Sequence, residues 1–137
     1  MSLAGRLVAV AAAASTLAGC GLDVRLPDLF LLTRTGQGTR LTLLVNDAGT
    51  MSCNGAAARR ISSARLISAR DLADSLAADA RRHLRLPARR NAVYSFRVRL
   101  QPGTISFSDR DTVDRRELAQ AVLFATQAAQ QVCGRSG

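Results

Sequence analysis

The sequence predicts an α+β fold, a two-layer sandwich in which an antiparallel sheet of four to five strands carries two helices on one face. Three observations support this prediction. Short apolar runs separated by turn residues fill residues 29–53, and a strongly alternating hairpin pattern fills residues 94–108. Each of these regions is followed by a segment with helical apolar spacing, which gives the element order ββ(β)α-ββα.

The first group of strands is predicted between residues 29 and 53. Residues 29–35 and 40–46 are apolar and rich in residues that favour strands, and a Gly-Gln-Gly sequence separates them. A polar turn then leads to a short third strand over residues 50–53. Residues 54–60 are expected to form a loop.

The first helix is predicted over residues 61–84. Ser62 is the expected N-cap, because its hydroxyl can accept a hydrogen bond from a free backbone N–H group of the first turn. Pro87 is expected to prevent the helix from continuing. The predicted apolar stripe, which would face the sheet, consists of Leu66, Ala69, Ala73, Leu76, Ala80 and Leu84.

The second group of strands is predicted to be a β-hairpin. Apolar and polar residues alternate over residues 94–101, and the alternation resumes after a Pro-Gly turn. One face of the hairpin is expected to lie in the core and the other to face solvent. Arg97 and Arg99 lie on the solvent face, so they are the candidate surface contacts of this protein.

The last helix is predicted over residues 113–133. Asp114 and Glu117 have the spacing of a capping box, with Thr112 as the alternative N-cap. Gly134 is the expected stop at the C-terminal end. The predicted apolar stripe consists of Leu118, Val122, Ala125, Ala129 and Val132.

The chain carries a formal net charge of +9 at pH 7, from 19 arginines and no lysine. The arginines form dispersed pairs, and Tyr94 and Phe96 are predicted to point away from Arg97 and Arg99. Surfaces that bind single-stranded nucleic acid combine basic and aromatic side chains. Nucleic acid is therefore not an expected partner, and an arginine excess without lysine is typical of a codon habit.

The first 20 residues have the layout of a secretory signal. One arginine precedes an apolar stretch that is too short to span a membrane, since a spanning helix needs about 20 apolar residues. Leu17-Ala18-Gly19-Cys20 resembles the lipobox of bacterial lipoproteins. The resemblance implies that Cys20 receives a diacylglycerol and that the chain is cleaved just before it. The alternative is an ordinary secreted protein in which Cys20 pairs with another cysteine.

These features divide the chain into a lipoprotein signal peptide (residues 1–19), a lipidated tether (residues 20–27) and a single α+β domain (residues 28–137). The predicted location is extracytoplasmic, anchored to the cell membrane by the N-terminal lipid. Cys53 and Cys133 then remain as an even pair in an oxidising compartment, and we predict a disulfide between them. Two free thiols or a metal-binding pair are the alternatives.

No catalytic, cofactor-binding or metal-binding residues are predicted, and neither is an enzyme. His83 is the single histidine of the chain, which excludes a multi-histidine metal site. Asp109, Asp111 and Asp114 cluster before the last helix, where carboxylates favour the positive end of the helix dipole. Helix capping is the expected role of this cluster. A calcium site is the alternative, because the three carboxylates offer hard oxygen ligands.

Residues 32 to about 132 resemble the emfourin-type protein inhibitors of bacterial metalloproteases in their element order. The matching stretches are Leu32-Thr33-Arg34-Thr35-Gly36, a helix closing on Leu86-Pro87, Tyr94-x-Phe96-x-Val98 with Gly103, and Phe107-x-Asp109. The lipobox and the cysteine pair depart from that family's pattern, and no inhibitory residue can be assigned. The resemblance implies inhibition of secreted metalloproteases.

The predicted function is a non-catalytic binding module of the cell envelope, held at the membrane by the lipid on Cys20. Its partner would be an envelope protein or polymer that the sequence does not identify. Two alternatives stay open. One is an emfourin-like inhibitor of secreted metalloproteases, and the other is a surface module that binds anionic lipid or wall polymer through its arginines.

Overall fold

The computed structural model describes residues 28–134, so the signal peptide, the tether and Cys20 lie outside the described residues. Within that range one antiparallel sheet packs against two helices, and the predicted α+β fold class is confirmed. The strands are β1 (Asp28–Gly36), β2 (Thr39–Asn46), β3 (Thr50–Cys53), β4 (Arg59–Arg60), β5 (Ser95–Leu100) and β6 (Gly103–Ser108). The helices are α1 (Ser63–Arg81) and α2 (Arg116–Gln131), and a 3₁₀ turn covers Asp109–Thr112.

The strands follow the spatial order β4-β3-β2-β1-β5-β6, which gives six strands where the sequence predicts four to five. The additional strand is β4, which lies in the segment expected to be a loop. Arg59 pairs with Met51, and Arg60 pairs with Thr50. Two exposed arginines carry no apolar alternation, so the sequence pattern contains no signal for this strand.

The core lies between the sheet and the helices. Leu32 of β1 pairs in register with Leu43 of β2 and with Val98 of β5, and all three side chains are fully buried. Because side chains alternate across a strand, these residues identify the face that carries the helices. Phe30 meets Phe124 of α2 in an edge-to-face contact with ring centroids 5.5 Å apart, which joins the central strand to the second helix.

Helix α1 begins as predicted and ends earlier. Ser62 is the N-cap, and its Oγ accepts a hydrogen bond from the backbone N–H of Arg65 at 3.2 Å. The helix ends at Arg81 rather than at Leu84, because His83 adopts a left-handed backbone conformation with φ of 51°. The helix is therefore stopped by the backbone several residues before the proline expected to stop it.

The segment after α1 runs beside β6. The backbone N–H of Leu86 donates to the carbonyl oxygen of Ser106 at 2.9 Å, and the N–H of Ser106 donates to the carbonyl oxygen of Leu84 at 2.9 Å. Arg85 and Ser106 thus form an isolated parallel bridge at the edge of the sheet. Leu84 belongs to this bridge and not to the apolar stripe of the helix.

Helix α2 is shorter than the predicted helix over residues 113–133. The predicted capping box of Asp114 and Glu117 is not used, since the N-cap residue makes no side-chain hydrogen bond to the first turn. The acidic cap forms further upstream, where the Asp111 carboxylate accepts a hydrogen bond from the backbone N–H of Ser108 at 2.7 Å. This 3₁₀ turn lies just before the predicted helix, and residues 113–115, which are predicted to be helical, separate it from α2.

In both helices, the residues that face the core differ in part from the predicted apolar stripes. The buried residues of α1 are Ala69, Leu72, Leu76, Asp79 and Ala80. Those of α2 are Leu118, Ala121, Phe124, Ala125 and Ala128. The prediction therefore misses Leu72 and Phe124, two of the larger side chains buried in the core, although it includes Leu76 and Leu118. Leu66, Ala73, Val122 and Ala129 of the predicted stripes are only half-buried.

Candidate functional site

The sheet face opposite the helices carries the predicted contact residues. Arg97 pairs in register with Thr33 of β1, and Arg99 pairs with Leu31. Their side chains alternate with the buried residues of β5, as the sequence predicts. Arg97 is exposed and Arg99 is half-buried, so Arg97 is the more accessible of the two.

A groove with a volume of about 290 Å³ surrounds Arg97 on this open face. Its floor is formed mainly by short hydroxyl side chains and two arginines. These are Thr33, Thr35, Arg40, Ser95, Arg97 and Ser106. One wall is the segment of residues 86–88, which the hydrogen bonds to β6 hold in place. We call this feature the open-face groove.

Two guanidinium groups in the open-face groove are available to a ligand. The side chains of Arg40 and Arg97 make no hydrogen bond or ion pair with any residue in the range 28–134, and no carboxylate lines the groove. A guanidinium group presents five N–H donors in a planar fork that matches a carboxylate or a phosphate. The groove can therefore accept an anionic or hydroxyl-rich ligand.

Arg40 is a residue that the sequence reasoning missed. It is exposed at the start of β2 and pairs in register with Thr35. The signal was present, since Arg40 precedes the apolar Leu41 in a predicted strand, and neighbouring side chains of a strand point to opposite faces of the sheet. The wall of residues 86–88 had no such signal, because it depends on a tertiary contact with β6.

The acidic residues before α2 bind protein groups. The Asp109 carboxylate accepts hydrogen bonds from the backbone N–H groups of Val93, at 3.1 Å, and Tyr94, at 3.4 Å. The Asp111 carboxylate accepts from the backbone N–H of Ser108 at 2.7 Å, from its hydroxyl at 3.0 Å, and from Arg89 Nε at 2.8 Å. Asp111 thus caps the 3₁₀ turn, and Asp109 holds the segment before β5, whereas the expected role was capping of the last helix.

The environment of Asp111 lowers the pKa of its carboxyl group. Burial raises this pKa, but the hydrogen bonds from the backbone and hydroxyl of Ser108 and the hydrogen bond and charge of Arg89 lower it by more. The Asp111 side chain is 2% exposed, whereas that of Arg89 is 61% exposed. The ion pair therefore joins a buried carboxylate to a solvated guanidinium.

No metal site is built from the described residues. Within the range 28–134, no three or more His, Cys, Asp or Glu side chains are grouped so that they could hold a metal ion. Asp114 is exposed, whereas Asp109 and Asp111 make hydrogen bonds within the protein. His83 is exposed in the turn after α1, where its ring lies against Gly103. The calcium alternative thus has no support in this geometry.

Cys53 and Cys133 lie at disulfide-bonding distance. Their sulfur atoms are 2.14 Å apart and their Cα atoms 5.6 Å apart, in agreement with the predicted pairing. The bridge joins the end of β3 to the residues just after α2. It therefore fixes the C-terminal end of the helical layer to the sheet.

No helix in the part of the chain that the structure describes has the length and apolar character needed to cross a membrane. Comparison of the chain with protein-family models, with curated proteins and with solved structures found no match.

Proposed function

We propose that this protein is a membrane-anchored extracytoplasmic lipoprotein that serves as a non-catalytic binding module of the cell envelope. The observation that carries the proposal is the open-face groove, in which Arg40 and Arg97 have no partner within the described range. The resemblance of Leu17-Ala18-Gly19-Cys20 to a lipobox supports the location.

The chemistry of the groove favours recognition of a ligand. Its polar groups are guanidinium N–H donors and hydroxyls, which hold a partner by hydrogen bonds and charge. The hydroxyls of Thr33 and Ser95 lie on a rigid sheet, so little conformational entropy is lost when they bind. A rigid face with preset donors is the feature expected of a binding module.

The proposed tether keeps the groove near the membrane. Residues 20–27, if fully extended, would reach at most about 28 Å from the lipid anchor to the start of β1. That distance allows a partner in the adjacent envelope layer to be reached without release of the anchor.

An anionic envelope component is the second candidate partner, as lipid headgroup or wall polymer. The observation that favours it is the same pair of guanidinium groups, which have no partner among residues 28–134, on a chain with a net charge of +9. Such an interaction would weaken as salt rises, because the Debye length is about 8 Å at physiological ionic strength.

Cross-linking on intact cells, followed by mass spectrometry, tests the proposal. A partner should be enriched with the wild-type protein and lost with the double variant Arg40→Gln/Arg97→Gln. The matched control is Arg90→Gln/Arg116→Gln, which removes the same charge from exposed arginines outside the groove. Equal loss with both double variants would contradict a role for the groove.

The lipid anchor has its own test. Cys20→Ser should abolish incorporation of a labelled fatty acid, because the thioether requires the thiol. Persistent labelling would contradict the anchor, and failure to enrich any envelope partner over a Cys20→Ala control would contradict the binding module. If the purified protein slows secreted metalloproteases at micromolar concentration, the inhibitor function implied by the emfourin resemblance is favoured instead.

A further inference from the structure

A second cleft lies at the end of the sheet beside the disulfide. Its volume is about 470 Å³, and it is bounded by β1, β2, the β3–β4 loop and the end of α2. Among residues 28–134, three arginines line it, namely Arg34, Arg40 and Arg59, and no carboxylate does. We call this feature the disulfide-side cleft. Arg40 borders both this cleft and the open-face groove, whereas Arg34 and Arg59 border this cleft alone.

Arg34 is held in position and lacks a partner for one donor. Its guanidinium carbon lies 4.7 Å from the centroid of the Tyr94 ring, which is a cation–π contact. The Tyr94 hydroxyl in turn donates a hydrogen bond to Gln37 Oε1 at 2.9 Å. The Arg34 Nε–H group is buried and has no hydrogen-bond partner among residues 28–134. A buried donor without an acceptor is costly, and a small rotation of the Arg34 guanidinium toward an oxyanion in the cleft would supply the acceptor.

Two further donors belong to the same cleft. Arg59 Nη1 donates to the carbonyl oxygen of Val132 at 3.4 Å, which holds its guanidinium over the end of α2. The Oδ1 atom of Asn54 accepts a hydrogen bond from the backbone N–H of Thr42 at 2.8 Å. The Nδ2 group of Asn54 is the second donor. Donors and positive charge therefore dominate the polar side chains that line the cleft.

Apart from Thr39, the remaining side chains that line the disulfide-side cleft are apolar. They are small and aliphatic side chains from both layers, including Leu41, Met51, Ala56, Ala57 and Ala129. A hydrocarbon group bound against such a wall is stabilised because apolar surface is removed from water. A bare inorganic ion has no apolar surface and gains no such stabilisation. The cleft thus combines a cationic end with an apolar wall.

We propose that the disulfide-side cleft binds a small organic anion, whose carboxylate or phosphate group is held by Arg34 and Arg59 and whose short aliphatic body covers the apolar wall. Guanidinium groups bind both head groups in bidentate fashion, so the shared chemistry is that of an oxyanion. This site adjoins the groove proposed to bind the envelope partner at Arg40, but Arg34 and Arg59 border only the cleft. The site does not depend on the lipid anchor.

The test is an NMR titration of the full chain, purified in a non-ionic detergent, with butyl phosphate, butyrate, inorganic phosphate and butanol. At least one organic anion should bind saturably and shift the Arg34 Nε–H resonance, whereas butanol should do neither. Whichever of butyl phosphate and butyrate binds with the higher affinity identifies the preferred head group. Absence of saturable binding by either anion below about 10 mM would overturn the proposal. Equal affinity for inorganic phosphate would overturn it too, because the apolar wall would then contribute nothing.

Arg59 and Arg60 provide a matched pair of variants. They are adjacent and exposed, and they point to opposite faces of β4, so that only Arg59 borders the cleft. Arg59→Gln should weaken binding of the organic anion at least tenfold, and Arg60→Gln, which changes the net charge equally, should weaken it less than twofold. Equal weakening by both variants would show that net charge alone matters and would overturn the proposal. The cross-linked envelope partner of the open-face groove should survive Arg59→Gln, which separates the two proposals.

Discussion

Replacement of Asp111 by asparagine tests the main polar anchor of the fold. The side chain keeps its shape but loses its charge and one of its two acceptor oxygens. The amide can keep its oxygen toward Ser108, and its NH₂ group then faces Arg89 Nε, which is also a donor. Because Arg89 is largely exposed, it can turn to water at little cost.

The magnitude follows from the bonds that remain. A hydrogen bond to a charged group contributes about 1.5–3 kcal/mol, against about 1 kcal/mol for a neutral one. The bonds from Ser108 would persist in their weaker neutral form and the Arg89 bond would be lost, so Asp111→Asn should lower the free energy of unfolding by about 2 kcal/mol. Asp111→Ala leaves the buried Ser108 N–H without an acceptor and should cost about 4 kcal/mol.

The effect of this substitution depends on pH with a definite sign. The pKa of the Asp111 carboxyl lies below its ordinary value of 3.8 in the folded protein, so the folded state binds fewer protons than the unfolded state near that pH. The stability that the carboxylate contributes is therefore present above pH 3.8 and is lost as the pH falls through the folded pKa. The difference between wild type and Asp111→Asn should be constant from about pH 7 to pH 5 and should shrink below that range.

Urea unfolding of the two proteins across this pH range is the assay. The control is Asp114→Asn, which removes an exposed carboxylate nearby and should change the free energy of unfolding by less than about 0.5 kcal/mol. The reasoning is refuted if Asp111→Ala costs no more than Asp111→Asn, or if the loss for Asp111→Asn persists undiminished at about pH 2.

Three other predictions concern the packing of the fold. Replacement of Cys53 and Cys133 by alanine opens a loop with a sequence separation of 80 and should lower the free energy of unfolding by about 4 kcal/mol in urea titrations; a loss below about 1 kcal/mol would contradict a stabilising bridge. Leu76→Ala removes a fully buried side chain and should cost about 3 kcal/mol in the same assay, whereas Leu123→Ala, at a side chain 56% exposed, should cost less than about 1 kcal/mol. Similar losses for the two leucines would show that the core is wrongly placed. Gly103→Ala would set a Cβ atom 2.1 Å from a carbonyl oxygen of α1. It should lower Tm by several degrees, equivalent to about 2 kcal/mol. An unchanged Tm would mean that the hairpin turn does not approach the helix this closely.

The elements with long periodic patterns could be predicted from the sequence. The β5–β6 hairpin was found because its alternation is regular, and Ser62 was found because a hydroxyl before a helical stripe is a recognised start signal. The ends of the helices could not be found in the same way. The end of α1 depends on the left-handed conformation of His83, a residue that adopts it only occasionally. The start of α2 was misplaced because Ser108 and Asp111 have the same spacing as Asp114 and Glu117, and the sequence does not show which pair forms the cap.

The same distinction between local pattern and tertiary contact applies to the candidate sites. Arg97 was identified because one strand determines which way its side chain points. The open-face groove and the disulfide-side cleft could not be identified, because each joins segments that are distant in the chain. Arg34, for example, belongs to an apolar strand and becomes notable only because Tyr94 stacks on it. Local periodicity gives the direction of a side chain, and only the tertiary structure gives its neighbours.

The central position of β1 governs the order in which the sheet can be completed. β1 and β2 are consecutive and joined by a tight turn, so their hairpin can form from local contacts. The other edge of β1 pairs with β5, which follows only after α1. Until β5 arrives, the backbone beside Leu31 and Leu32 is an open edge that another chain could pair with. Rapid docking of the second hairpin is therefore the step that protects a newly made chain from aggregation.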